Sequence, residues 1–298
     1  MTCRSPLFYV GDKRKLIKEI KAYFPQKTYR FIEPFVGGGS VFMNTEADEF
    51  ILNDINSDVI SLHKMLCKYA TKRDRFFKDF MSLIQRYNLS CSHKEDVVPE
   101  KLKRQFPKTY FAEFNRDGYN QLKEHYNSAK KKDPLVLYAL LIYGFNRILR
   151  FNSKGLFNVP VGNVDFNDNV YEALNSYFDT VSNAKIKWEN KDFEELVFSL
   201  RLNRDDFVYL DPPYLLTFSE YNKIWNVETE ERLLSCLDKL HKNHVRFAIS
   251  NVTHYKGRVN DVFLTWSYKY NIHSIKSNYI SYHDNSVKKF SEVLVTNY

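Results

Sequence analysis

Asp211, Pro212, Pro213 and Tyr214 close an apolar run inside the stretch FVYLDPPYLLTF, residues 207–218. Proline has no N–H for a strand ladder, so the run stops where an acid, two rigid rings and an aromatic begin. Such a set suits work on a weakly nucleophilic amino group, such as the exocyclic nitrogen of adenine, whose lone pair is delocalised into the ring. Asp211 offers the amino hydrogens one acceptor and the Pro212 carbonyl a second, so that the nitrogen pyramidalises and its lone pair is directed. Tyr214 offers a π-face to a base taken out of a duplex, an interaction worth about 1–3 kcal/mol. Transfer would then be an in-line displacement driven by positioning and electrostatics, needing no metal and no covalent nucleophile. The alternative for an arbitrary Asp-Pro-Pro is a stiffened turn whose Asp caps a helix. The apolar run, the tyrosine and an upstream glycine turn, all occurring together, favour chemistry.

That glycine turn is PFVGGGS, residues 34–40. It follows a strand pattern and is expected to open a helix, where glycines let a ligand approach the backbone. Asp54, 17 residues beyond Gly37, stands at the end of the next strand, placed to accept from ribose hydroxyls. The third position of a G-x-G-x-x-G fingerprint is Phe42, and no Lys-Ser/Thr follows the glycines, so neither a dinucleotide site nor a P-loop is expected. An acid before the turn and another on the following strand suit a nucleoside cofactor without phosphates, of which S-adenosylmethionine is the commonest. Glu33 would face its ammonium, Gly37 and Gly39 admit its backbone, and Asp54 hold its ribose. Taken alone, the motif is equally well read as a tight turn with no ligand.

The elements that must position these residues follow from periodicity. KRKLIKEIKAYF, residues 13–24, puts Leu16, Ile17, Ile20 and Phe24 on one helical stripe. YRFIEPFVGGGSVFMN reads as a short strand, a glycine turn and the start of a helix, and EFILNDINSDVISL repeats the pattern with a strand over Phe50–Leu52, which implies a parallel sheet with ligands at the carboxyl ends of its strands. The strand pattern stops at about residue 61, gives way to charged helical segments, and resumes in AKIKWEN, DFVYL, VRFAISN and SEVLVTNY, with a helix expected over Glu228–Lys242. YGFNRILRFNSKGLFNVPVGN, residues 143–163, has β-branched and aromatic residues about a Ser-Lys-Gly turn and reads as a hairpin or extended loop. The expected organisation is therefore a catalytic domain of residues 1–60 and 165–298 carrying an insert of residues 61–164.

Charge separates the same regions. The chain has 298 residues and a formal charge of +8, yet residues 61–156 alone carry 20 Lys/Arg against nine Asp/Glu. A basic insert in an otherwise mildly acidic chain suggests a polyanion-binding section, with a solvated lysine-rich surface as the alternative. Cys3, Cys67, Cys91 and Cys236 are scattered, with no CxxC or Cys/His cluster, which argues against structural zinc or a disulfide framework and for a reducing cytoplasm. No window approaches a membrane span and no signal-peptide pattern opens the chain.

In combination these residues resemble the Dam family of adenine-specific DNA methyltransferases. The resemblance rests on FVGGGS and DPPY, with YVGDKRKL at 9–16, NDIN at 53–56, RFNSKGLFNVPVG at 150–162, DFEEL at 192–196 and the ending SEVLVTNY. Only about 65–135 matches loosely. It implies an α/β fold: a Rossmann-like S-adenosylmethionine-dependent methyltransferase sheet with an inserted, mostly helical DNA-recognition domain and β-hairpin. It further implies that Tyr9 and Lys13 flank the cofactor with Glu33, Phe35, Gly37 and Gly39, that Asp54 binds the ribose, and that Ile55 and Phe193 sandwich the adenine beside Asp192. Asp211 would touch both cofactor and target base. In the hairpin, Arg150 matches an arginine on a guanine, Asn146 the side chain entering the gap left by the flipped base, and Ile148 and Pro160 thymine-methyl contacts. Arg147, Asn152 and Lys154 complete the expected DNA-facing set. Arg150 also fits the general bidentate rule for guanine, with a phosphate clamp as the alternative. Relatives that read GATC carry a lysine before the first aromatic and two glycines after it. Here these positions are Phe8, Gly11 and Asp12, which leaves the first target base unassigned.

The function these readings lead to is methyl transfer from S-adenosylmethionine to a flipped adenine of double-stranded DNA, in a GAT-containing site, with no obligate protein partner. Methylation of the cytosine amino group is the nearest alternative, although it more often has Ser in place of Asp211. Ring-carbon methylation needs a Pro-Cys dipeptide, which is absent. Glutamine methylation usually has Asn before the prolines and would leave the basic insert unexplained. A non-catalytic DNA-binding paralogue is the alternative from another class.

Overall fold

The computed structural model describes residues 2–9, 11–95, 97–217, 225–275 and 290–298. Val10 of the first motif and Phe218, at the end of the DPPY stretch, lie outside the described residues. In chain order the helices are α1 (Ile17–Lys21), α2 (Ser57–Tyr69), α3 (Arg73–Arg86), α4 (Glu100–Gln105), α5 (Tyr110–Ser128), α6 (Pro134–Tyr143), α7 (Asp168–Ser182), α8 (Phe193–Ser199), α9 (Val227–Lys242) and α10 (Asp261–Ser267). The strands are β1 (Arg30–Glu33), β2 (Glu49–Asn53), β3 (Ile186–Glu189), β4 (Phe207–Leu210), β5 (Arg246–Tyr255), β6 (Arg258–Val259), β7 (Asn271–Ile275) and β8 (Phe290–Thr296). Beyond its first two residues the chain divides into two compact units, one of Cys3–Asp12 with Asp58–Asn183, the other of Lys13–Ser57 with Ala184–Tyr298.

The second unit is built on one sheet in the order β3-β2-β1-β4-β5-β8-β7, with β6 pairing only β5. The pairs from β3 to β5 are parallel, whereas β8 runs antiparallel to both β5 and β7. All four residues of β4 are buried, as a parallel strand covered on both faces requires. Ile32, Ile51, Val208 and Ile249 pack with Leu233, Leu237 and Leu240 of α9 and with Trp266 of α10 in one core. The strand order reverses between β1 and β4, which is where ligands bind in open α/β sheets. In register, Glu33 faces Leu52 of β2, and Ile32 faces Val208 of β4. Asp54 and Asp211 therefore emerge just past the same rim at which β1 ends in Glu33.

The glycine turn departs from expectation, because no α-helix follows it. Only a 3-10 turn over Phe42–Asn44 forms, and Thr45 is already extended. Asn44 Nδ2 donates to the Ser40 carbonyl at 2.8 Å and Thr45 Oγ1 to that of Val41 at 2.8 Å. Side chains thus take the carbonyls that a continuing helix would use.

The first unit is helical around an aromatic core in which Phe76 and Phe80 of α3 meet Tyr138 of α6, Phe166 and Phe178 of α7. Helix α6, PLVLYALLIY, is apolar on every side and is buried from Val136 onward, capped by Asp133 with proline as its first residue. The expected hairpin at 143–163 is looser than a two-stranded ladder. It shows isolated antiparallel bridges, Gly144 to Val161 and Phe151 to Phe157, and a 3-10 turn over Phe145–Arg147. Positive φ at Asn146 and Arg147 interrupts the extended run. Asn127 of α5 accepts from the Phe157 N–H at 2.9 Å and donates to its carbonyl at 3.0 Å, taking the place of a partner strand.

Candidate active site

In the second unit, Asp211 leaves β4 with its side chain 19% exposed, and both its oxygens are held. Lys13 Nζ lies 2.8 Å from Oδ2 and the Tyr214 hydroxyl donates to Oδ1 at 2.8 Å. The same hydroxyl is 3.1 Å from Glu292 Oε1, which in turn is 3.9 Å from Lys13 Nζ. Lys13 Nζ also sits 5.0 Å from the centre of the Tyr214 ring. Lys13 and Glu292 are 4% and 1% exposed, so one buried cation serves two carboxylates in a low dielectric, where the pairing fixes geometry strongly. Burial, with Asp211 and Glu292 close by, drives the Tyr214 hydroxyl well above the ordinary tyrosine value, so it remains a proton donor.

Glu33, at the end of β1, is buried, and its Oε2 has no hydrogen-bond partner among the described residues. Burial first, then the charges of Asp211 and Asp54, raise its carboxyl well above the usual range, against a hydrogen bond from the Phe42 N–H. Asp54 accepts from the Gly37 N–H and the Asn56 N–H, both at 2.9 Å. Burial pushes it up to about 6, with those two N–H groups working the other way. Gly37 and Gly39 have φ of 46° and 80°, a backbone that admits close approach. Phe35, Phe193 and Trp225 group at centroid distances of 5.6–6.1 Å. Asp192 caps α8 through the Glu194 N–H at 2.9 Å and pairs with Arg232 at 2.7 Å, while the Arg232 guanidinium lies 5.0 Å from the Phe193 ring centre. Ile55 is 56% exposed, and Asn190 fixes its carbonyl and that of Asp54 at 3.0 and 2.7 Å.

These residues fit a cofactor carrying an ammonium, ribose hydroxyls and a flat base. A cation would give the Glu33 oxygen its missing partner, Asp54 keeps lone pairs for hydroxyl donors, and the aromatic group offers a planar wall. Of the expected cofactor residues, Lys13, Glu33, Phe35, Gly37, Gly39, Asp54, Ile55, Asp192, Phe193 and Asp211 all belong to the second unit, whereas Tyr9 belongs to the first.

Several residues of this site went unread in the sequence. Glu292 lies in the SEVLVTNY ending, but nothing local to that stretch gives its role, because β8 runs against the parallel strands and brings its beginning to their ends. Asn53 had a signal, a polar residue closing an apolar strand. Its amide donates to the Pro34 and Lys191 carbonyls at 2.9 and 3.0 Å and accepts from the Lys191 N–H at 2.9 Å, joining the loops that follow β1, β2 and β3. Trp225 is held by Glu230, whose Oε2 accepts from the indole at 2.6 Å.

In the first unit, Arg150 donates from Nε to Asn158 Oδ1 at 3.0 Å and from its terminal nitrogen to the Asn158 carbonyl at 3.2 Å, which orients the guanidinium. Asn152 accepts from the N–H groups of Lys154 and Leu156, both at 3.0 Å, and so builds the turn that carries Lys154 into solvent. The Pro160 carbonyl accepts from the Phe145 N–H at 2.9 Å, and Ile148 is half-buried. Phe145, Asn146 and Pro160 are exposed.

The sequence matches the family model of the D12 class N6 adenine-specific DNA methyltransferase over residues 9–281. It is 34% identical over 304 residues to the type II methyltransferase M.FokI of Planomicrobium okeanokoites, covering 99% of this chain and 43% of that protein. It is 32% identical over 306 residues to the modification methylase StsI of Streptococcus sanguinis, covering 99% of this chain and 43% of the relative. With the DNA adenine methylase of Escherichia coli (strain K12) it shares 29% identity over 304 residues, covering 98% of this chain and 94% of that one. The chain thus spans under half the length of M.FokI and StsI and nearly the whole of the E. coli methylase.

Proposed function

The chain belongs to the D12 class of N6 adenine-specific DNA methyltransferases, and from that premise we propose that it methylates the exocyclic amino group of an adenine flipped out of duplex DNA, within a GAT-containing site, using S-adenosylmethionine. The observation that carries this reading is the linked group of Lys13, Asp211, Tyr214 and Glu292 at the rim where β4 ends, with Lys13 and Glu292 buried. A carboxylate held from two sides keeps its direction, and preorganised acceptors aimed at a reacting nitrogen are the main electrostatic source of such catalysis. Asp211 and the Pro212 carbonyl accept from the amino hydrogens, and Tyr214 closes on the base. Glu33 takes the ammonium, Asp54 the ribose, and Ile55 and Phe193 the adenine of S-adenosylmethionine, which when bound supplies an activated methyl group. Tyr9 is assigned to the same cofactor. Residues 61–164 are the target-recognition part, and Asn146, Arg147, Ile148, Arg150, Asn152, Lys154 and Pro160 face DNA. Residues 1–60 and 165–298 are the catalytic part. The reaction needs no protein partner, and the cytoplasm, where DNA is accessible and thiols stay reduced, suits the four free cysteines.

Incubation of the purified chain with tritiated cofactor and duplex DNA is expected to put label into methyladenine on nucleoside analysis. The variant Asp211→Ala is expected to lose transfer by roughly a hundred- to thousandfold or more while still binding DNA. Label recovered in methylcytosine, or an Asp211→Ala variant as active as the parent, would refute the assignment. The cytosine-amino reading is not favoured by the family match.

A further inference from the structure

The first unit contains a cavity of about 520 Å³ whose lining includes Arg4, Phe8, Asn146, Arg147 and Asn163. Two guanidiniums share one aromatic there: the Arg147 carbon lies 3.9 Å and the Arg4 carbon 4.4 Å from the centre of the Phe8 ring. Arg147 Nε is buried and has no hydrogen-bond partner among the described residues. A buried donor left unpaired is costly and rare, so it calls for a ligand that completes it. The backbone is also strained at this place. Six non-glycine residues among those described have positive φ, and three of them line this cavity: Phe8 at 49°, Asn146 at 53° and Arg147 at 51°. Such a conformation is unfavourable for a phenylalanine or an arginine and persists where surrounding structure holds it for a purpose. Burial, opposed by Tyr138 and reinforced by Arg4, lowers the Arg147 guanidinium to about 10, so an incoming electron-rich group would meet a partly desolvated cation beside a second guanidinium.

The ligand follows from the shape. A guanidinium is planar, with its donors confined to one plane in a fixed fork. The O6 and N7 acceptors of guanine form a flat pair of matching spacing, the commonest specific partner of arginine in a major groove. A phosphate contact, which many side chains and backbone N–H groups can supply, needs neither a fixed guanidinium plane nor a strained backbone. We propose that this cavity is a guanine-reading pocket, in which Arg147, held on Phe8, donates to O6 and N7 of a target base other than the one assigned to Arg150. The proposal rests on the reading of the chain as a DNA adenine methyltransferase and adds a determinant of its specificity.

The test uses the whole chain with duplexes varied one position at a time around the methylated adenine, following both methyl transfer and equilibrium binding. The wild type should favour guanine at one position for which Arg147→Ala and Arg147→Lys both lose the preference, by roughly ten- to a hundredfold, while other positions keep theirs. Lysine retains the charge but not the fork, so Arg147→Lys decides the matter even if Arg147→Ala folds poorly on thermal denaturation. Replacing that guanine by 7-deazaguanine should weaken the wild type and leave Arg147→Ala unchanged. A uniform loss over all duplexes with a salt slope reduced by about one would mark a phosphate contact and overturn the pocket. Unaltered selectivity in Arg147→Lys would overturn it too. A wild type that transfers nothing yet binds guanine-bearing duplexes more tightly, with Arg147→Ala losing that margin, would uphold the pocket and remove the activity.

Discussion

Lys13 and Glu292 turn Asp211 from an acid at a strand end into an oriented acceptor, because a buried ammonium and a tyrosine hydroxyl leave its oxygens little freedom. Asp54 is the residue whose ionisation can be followed. Its carboxyl, raised to about 6 by burial, keeps a proton in the folded chain that the unfolded chain has already lost near its ordinary value of 3.8. Between those values its contribution to stability therefore falls as pH rises. A ribose hydroxyl donating to the carboxylate works in the opposite direction, since it favours the ionised form. Affinity for S-adenosylmethionine should then rise through about pH 6 and level off above it, being roughly tenfold weaker near pH 5 than near pH 7. Calorimetric titrations of the wild type and Asp54→Asn across that range would show it, the variant being expected to lose the rise. An identical rise in both would assign it to another group.

At the scale of elements, close approach decides what propensity misses. Gly118 lies within α5, where glycine is ordinarily a weakness. A Cβ built there would stand 1.8 Å from the Tyr87 carbonyl oxygen, so the glycine lets α5 meet the chain that leaves α3. Asn115, one turn earlier, accepts from the Ser90 N–H at 2.7 Å and fastens the same junction. Gly118→Ala is expected to destabilise the protein by roughly 1–3 kcal/mol or more, since overpacking against backbone cannot be relieved by a rotamer change. A urea melt would register this as a lower midpoint, and an unchanged midpoint would mean that α5 shifts freely. The glycine turn after β1 teaches the converse. Its sequence looks like a helix start, but Asn44 and Thr45 bond to the carbonyls behind them and stop the helix after one turn.

Over the whole molecule, the basic section predicts how strongly binding depends on salt. Lys130 and Lys131 are exposed in the connection between α5 and α6, within the stretch that carries 20 Lys/Arg. If both face phosphates, Lys130→Ala with Lys131→Ala should reduce the slope of log affinity against log salt by up to about 2. The loss should be equal for all DNA sequences, which distinguishes it from the selective loss expected at Arg147. Fluorescence anisotropy over a salt series measures both quantities, and an unchanged slope would leave these lysines as a solvated face. No helix among the described residues is long and apolar enough to cross a membrane.

The sequence by itself determined the parallel strands, the acids at their ends, the Asp-Pro-Pro-Tyr turn that closes β4 and the basic section. Each of these is written in neighbouring residues: β-branched runs bury a strand, prolines end it, and the next side chain must surface. Tertiary structure alone decided which groups complete those acids. Lys13 and Glu292 reach Asp211 from opposite ends of the chain because an antiparallel last strand returns to the rim of a parallel sheet. Arg147 and Phe8 meet because the segment Cys3–Asp12 packs with the helical unit, where the Tyr138 hydroxyl donates to the Pro6 carbonyl at 3.1 Å. Local sequence sets which residue emerges and where along a strand, but long-range pairing sets its neighbours, and the neighbours fix its charge and direction.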